Sequence, residues 1–266
     1  MFEITKTVLE KSTETEYPLL TSECELTIKD FSSFPNACTD EDIFKNFGIN
    51  ANIRNVFSCS QVKYYYSAIL CECVENIKKS EVSEFDINFI KTDLDKPKSF
   101  KFRLTLHSIS SGKDFHDLSL EERINLSENW KVSGNSLFVE GNIYMAGYWY
   151  SRSLKSLLLC CTDDMESLIK EKYKKLVGQC RINLAAVQLK NHLYDHVISN
   201  CSQALYIDSK MIKALYRRAQ AYYAEGKMEN AMKDLKQALK IEPKNSSIRK
   251  LITQISQNTN VTAHAV

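Results

Sequence analysis

No apolar run in this chain is long enough to cross a bilayer. The longest, "YYYSAILC" (64–71) and "LKSLLLCC" (154–161), fall far short of the roughly 20 residues that a spanning helix needs. No membrane partner is therefore expected. The first residues, "MFEITKTVLEKSTETEYP", lack a continuous apolar segment and a small-residue cleavage site, so a secretory signal is not expected. The last five, "TAHAV", are no lipidation box. Evenly paired cysteines are missing too: there are 9, and only Cys71 with Cys73 and Cys160 with Cys161 lie close together. No histidine pair complements them at metal-site spacing, so reduced, buried thiols are expected and no metal. The five histidines, His107, His116, His192, His196 and His264, are scattered and form no nucleophile–base set. His192 and His196, four apart, read as a surface pair. No cofactor is implied.

Charge of one sign is also lacking. The net charge is +2, too small and too interleaved for a nucleic-acid partner. The distribution is uneven, however. Residues 1–110 carry 13 Lys and Arg against 17 Asp and Glu, and the excess of cations lies in residues 111–266. The second half is thus the better host for an acidic partner.

The two halves differ in hydrophobic period. In "FKFRLTLHSI" (100–109), Phe100, Phe102, Leu104 and Leu106 alternate with polar residues, as in a half-buried strand. "CELTIKDF" (24–31), "VKYYYSAILCECV" (62–74) and "FDINFI" (85–90) are read as further strands from their β-branched and aromatic content, and "DEDIFKNF" (40–47) as a short helix. On the strand reading Cys71 and Cys73 share one face. An antiparallel β domain is expected over 1–110. Ser119 and Glu122 then form a capping box, and helical spacing runs from there to about residue 256.

That helical half repeats itself. Gly134, Ala185 and Ala219 are each followed twelve residues later by Ala146, Val197 and Ala231, and four residues further by Tyr150, Cys201 and Leu235. Small residues at the first two slots let paired helices approach closely. The last two copies are 34 residues apart, the length of a tetratricopeptide unit. The first two are 51 apart, and the extra residues, around "DDMESLIKEKYKKL" (163–176), keep helical phase and should lengthen flanking helices. Pro243 closes the last pair, and "SSIRKLITQISQ" (246–257) serves as a cap. The fold class is α+β: an antiparallel β domain (1–110), then an all-α solenoid of three repeats plus a capping helix (118–257), with 258–266 expected to be a disordered tail.

The first helices of the units carry polar residues that their packing does not need. Lys131 and Asn135 share a face on the first; Asn183, Ala186 and Lys190 on the second; Lys213 and Arg217 on the third. With no acid expected within a turn to neutralise Lys131, Lys213 and Arg217, the ligand that fits is a pair of adjacent carboxylates, an acidic side chain beside a free chain end. Ala186 and Lys190 extend the same groove.

These residues resemble the dicarboxylate clamp of tetratricopeptide co-chaperones, which hold the Met-Glu-Glu-Val-Asp tail of the ninety-kilodalton heat-shock chaperone; all five clamp positions match, as Lys131, Asn135, Asn183, Lys213 and Arg217. The stretch "FKFRLTLHSISSGKDFHDLSLEERINLSENWKVSGNSLF" (100–138) is similar to the junction in large FKBP-type immunophilins, where the last strand of a prolyl-isomerase domain runs into the first repeat helix. An active domain of that family needs glycine-rich loops around an aromatic pocket with a tryptophan floor. Residues 1–110 hold one glycine, Gly48, and no tryptophan, so the resemblance implies a degenerate FKBP-like domain without isomerase activity. Tyr64, Tyr65 and Tyr66 are read as sheet packing. The implied function is that of a non-catalytic co-chaperone or adaptor in the cytoplasm, with the nucleus as a second compartment. The alternative is an adaptor that stimulates a signalling protein kinase, such as casein kinase 1 in the circadian clock.

Overall fold

The computed structural model describes residues 2–19, 21–34, 50, 52–58, 65–89, 99–160 and 165–263. They divide into two compact units, Met1–Met145 and Ala146–Val266.

The first unit is organised around a five-stranded antiparallel sheet. Its strands are β1 (Phe2–Glu10), β2 (Glu23–Phe34), β3 (Asn55–Ser58), β4 (Val82–Phe89) and β5 (Ser99–Ile109), in the order β1-β4-β5-β2-β3. Alternation dictates which face is buried. Phe100, Phe102, Leu104 and Leu106 of β5 are buried together with Leu26 and Ile28 of β2 and Phe85 and Ile87 of β4. The rings of Phe85, Phe100 and Phe102 stack in series. The opposite face is polar: Lys101 pairs with Glu84, Arg103 with Asp30, and Thr27 Oγ1 lies 2.8 Å from His107 Nε2.

One expected strand is a helix. Tyr65–Glu75 forms α1, so the strand reading of 62–74 is corrected. Ile69, Leu70, Cys73 and Val74 are all buried, at the i, i+1, i+4, i+5 spacing of a helical stripe, a period that the aromatic and β-branched content had masked. Cys71 and Cys73 are both buried on this helix rather than on one face of a strand. Tyr65 and Tyr66 are helical, not sheet residues, whereas Tyr64 and the expected helix at 40–47 lie outside the described residues. Lys6 Nζ of β1 donates to Asn76 O, just past the end of α1, at 2.6 Å, and pairs with buried Glu81. Burial works to raise the Glu81 carboxyl, but hydrogen bonds from Lys6 and Ser83 outweigh it and hold it below its usual value.

The helix α2 (Leu120–Val139) starts on the expected capping box. Ser119 Oγ accepts from Glu122 N at 3.3 Å, and a Glu122 carboxylate oxygen accepts from Ser119 N at 2.7 Å. Lys113 Nζ donates to the other oxygen at 2.6 Å. These donors favour the charged form and hold the Glu122 carboxyl down at about 2.

In the second unit, α3 (Ile143–Leu158) continues from the first, followed by α4 (Ser167–Lys190), α5 (Tyr194–Ile207), α6 (Ile212–Ala224), α7 (Met228–Ile241) and α8 (Ser246–Ala263). From α4 on, each helix packs on the next, and α4 also meets α6. The repeat frame holds at every slot. Ala185, Ala219, Ala146, Val197, Ala231, Tyr150, Cys201 and Leu235 are all buried, as is Gly134 of α2. Seven residues after each first slot, the chain turns through a left-handed residue: Gly141, His192 and Gly226. Glycine adopts that conformation freely. His192, at φ 59°, bears the steric penalty of a Cβ there, with Tyr194 OH 2.9 Å from its Nδ1. The extra residues of the longer second copy do extend a helix: 167–176 are the first half of the 24-residue α4. The helix α8 runs to Ala263, past the boundary at 257 where a disordered tail was expected.

A buried ion pair locks the last repeat. Arg218 of α6 grips Asp234 of α7 through two 2.7 Å hydrogen bonds and donates to Ser202 Oγ of α5 at 3.0 Å. The Asp234 side chain is 4% exposed. Replacing Asp234 by Ala strands the guanidinium and is expected to cost about 3–5 kcal/mol in chemical denaturation, whereas replacing both partners by Leu recovers much of that loss. The α2 capping box gives a pH signature. Because the folded-state value of Glu122 lies below its unfolded 4.5, its stabilisation is complete above pH 4.5 and is lost as pH falls toward 2. Thermal melts of Glu122→Gln should therefore lose less stability than wild type over that interval.

Candidate carboxylate-binding site

Three of the clamp candidates, Asn183, Lys213 and Arg217, belong to the second unit and sit on helices that touch, α4 and α6. Arg217 projects from the middle of α6 and is half-buried. Its Nη1 donates to the carbonyl of Ile182 on α4 at 2.7 Å. That bond fixes the guanidinium beside the backbone that carries Asn183, the next residue. Lys213, one turn earlier on α6, is exposed and shares with Ile182 the lining of a cavity of about 620 Å³.

The electrostatics of Arg217 are unusual. Among the described residues no carboxylate lies within ion-pair distance of it. Burial pulls its guanidinium below the usual range, countered only in part by Cys201 and Tyr150. Neither neighbour balances the charge at neutral pH. Burial pushes the Cys201 thiol up to about 12 and the Tyr150 phenol also up to about 12, so both stay neutral. Burying a cation without a counter-charge costs free energy, which an anion placed beside it would offset. One Nη1 hydrogen is committed to Ile182, and the rest of the planar fork retains the donor pattern that suits a carboxylate.

The other candidates divide. Lys131 and Asn135 lie on α2, in the first unit. Lys131 is not without an acid, as had been expected: Glu128, three residues earlier, approaches its Nζ to 3.7 Å. An i, i+3 pair on a helix makes this contact unless packing separates it. Asn135 is exposed. Of the two residues expected to extend the groove, Ala186 is buried at 7% exposure and contributes helix packing, while Lys190 is exposed at the last position of α4.

The sequence reading missed Arg218 and Asp234, adjacent in kind to the clamp but structural in role, because a pair sixteen residues apart shows no helical spacing. It also passed over Lys174 and Lys175, which line the same cavity as Lys213. Among the described residues no group of three or more potential metal ligands comes together, and no helix is long and apolar enough to cross a membrane.

Residues 212–245 match the family model for the tetratricopeptide repeat, a span that covers α6, α7 and the turn after them. The chain is 31% identical over 150 residues to the Arabidopsis thaliana peptidyl-prolyl cis-trans isomerase FKBP42, a match that covers 55% of this chain and 40% of the relative. It is 32% identical over 154 residues to the Homo sapiens FK506-binding protein-like, with coverage of 58% and 41%. The chain thus spans about two-fifths of the length of these curated relatives. Among solved structures, the C-terminal tetratricopeptide-containing domain of a Plasmodium falciparum FK506-binding protein superposes with a TM-score of 0.52 at 26% identity, over 57% of this chain and 99% of that one.

Proposed function

We propose that the chain, which is similar to FKBP-like proteins with C-terminal tetratricopeptide repeats, is a co-chaperone whose repeat groove holds the acidic C-terminal tail of a heat-shock chaperone. The observation that carries this reading is Arg217: a half-buried guanidinium, oriented by Ile182 O, with no carboxylate of its own chain in reach. A terminal dicarboxylate supplies the missing charge. In the proposed clamp Arg217 binds one carboxylate through paired N–H groups, Lys213 acts as a point charge, and Asn183 donates amide hydrogens.

We further propose that the FKBP-like half is non-catalytic. Two of its relatives' features would have to be built without material: its 110 residues offer one glycine and no tryptophan for loops and pocket floor. The kinase-stimulating alternative draws no support from the relatives described above.

Fluorescence anisotropy with labelled Met-Glu-Glu-Val-Asp tests the clamp. Lys213→Glu and Arg217→Glu should each weaken binding by at least about tenfold, with a shallower salt dependence than wild type. Lys213 is exposed, so its variant should keep the wild-type circular dichroism spectrum. Equal binding by wild type and Lys213→Glu would refute the clamp. A prolyl-isomerase assay on the full chain is expected to give no turnover above background.

A further inference from the structure

The three repeat copies agree at their small-residue slots but not around them. Four residues before the first slot stand Trp130, Arg181 and Leu215; three after it, Leu137, Gln188 and Tyr222; fifteen after it, Trp149, Asn200 and Asp234. In the first copy all three positions hold buried apolar or aromatic residues. In the third, Leu215 is buried, Tyr222 packs against the cluster around it, and Asp234 is gripped by Arg218. In the second copy all three positions are polar and half-buried. Places that build the fold in the other copies are held here by one cation and two amides.

The trio is bonded in series. Arg181 Nη1 on α4 donates to Asn200 Oδ1 on α5 at 3.3 Å, and Asn200 Nδ2 donates to Gln188 Oε1, again on α4, at 3.0 Å. Both amide oxygens are thereby engaged. The hydrogens left over belong to the rest of the Arg181 fork and to the amide nitrogens, so the niche offers donors and one positive charge. Among the described residues no carboxylate pairs with Arg181. Burial pulls its guanidinium below the usual range, countered only in part by Tyr173 and Cys180. Burial pushes the Tyr173 phenol up in turn, so it brings no charge at neutral pH. The third copy shows what a guanidinium between paired helices of this fold takes: Arg218 holds the Asp234 carboxylate through Nε and Nη2 at 2.7 Å each. In the second copy the slot of that carboxylate holds an amide.

We propose that Arg181, Gln188 and Asn200 form a carboxylate-accepting niche on the flank of the second repeat, filled by an aspartate or glutamate side chain of a partner protein. One carboxylate cancels the single charge of Arg181, whereas a phosphate dianion would leave an excess. The niche is separate from the clamp. Arg181 and Asn183 are two positions apart on α4, about 200° in rotation, and so face different sides of the helix. All three niche residues lie in the second unit. This surface can hold an acidic partner whether or not the repeat groove is filled, and it does not rest on the clamp reading.

The test uses the full chain with nitrogen-15 arginine side chains and sodium acetate as the probe, at constant ionic strength. The Nε–H signal of Arg181, identified by its loss in Arg181→Leu, should shift saturably with acetate and not with chloride, and inorganic phosphate should bind no tighter than acetate. Asn200→Asp supplies a carboxylate from within the chain and should abolish the acetate response. Arg181→Leu introduces the residue type that the third copy carries at this slot. It should melt within about 4 °C of wild type or above it, because an uncompensated half-buried charge adds little stability. A larger fall would mean that Arg181 serves packing and would overturn the proposal. So would an acetate response no different from that to chloride, or one that survives in Asn200→Asp. Tighter binding of phosphate than of acetate would overturn the assignment of the occupant as a carboxylate.

Discussion

Close approach of helices at small side chains is the constraint on which the second unit depends. Ala185 of α4 and Ala219 of α6 sit fully buried where a larger residue would push neighbouring helices apart. Around them two apolar clusters form. One is built on Ile182, Val197, Cys201 and Ala214; the other on Leu215, Leu235, Ile248 and Leu251. The first residue of each cluster lies on a helix that also carries a clamp candidate, so the packing that stabilises the unit fixes the position of Asn183, Lys213 and Arg217 as well. Ala185 and Ala219 are each followed seven residues later by a left-handed turn residue, His192 and Gly226.

Two neighbouring arginines on α6 show how the same residue type serves opposite ends. Arg218 is fully met by its own chain, through Asp234 and Ser202, and its charge is reinforced by that hydrogen bonding. Arg217, one position earlier, faces a backbone carbonyl, a thiol and a phenol, none of which carries charge at neutral pH. The rotation of about 100° between successive helix positions separates the two environments. One arginine closes the fold and the other leaves it electrostatically open.

Much of this was legible in the sequence. The repeat frame, the capping box at Ser119 and the alternation in β5 are all short-range patterns whose period the backbone enforces, and each stands in the structure. The helix Tyr65–Glu75 was not, because its tyrosines and isoleucine carry a strand-like composition that outweighed its weaker helical spacing. Strands β1 and β3 were missed as well; β1 lies at the sheet edge, where Val8 and Leu9 are both exposed and no clean alternation is required. At the site, residue types and helix faces could be read, since they follow from spacing. The bond from Arg217 to Ile182, the ion pair between Arg218 and Asp234, and the cavity lined by Lys174 and Lys175 could not, since each joins helices whose separation in sequence says nothing of their register.

The length of α4 has a consequence for exchange between open and closed backbone. At about 1.5 Å per residue its 24 residues reach roughly 36 Å, against about 20 Å for the 13 residues of α6. In its first turn Leu168 is 78% exposed. Fraying of a helix end needs little free energy when so little apolar surface is released. That end of the rod therefore carries less of the unit's stability than the turns around Leu176 and Val177, which are buried.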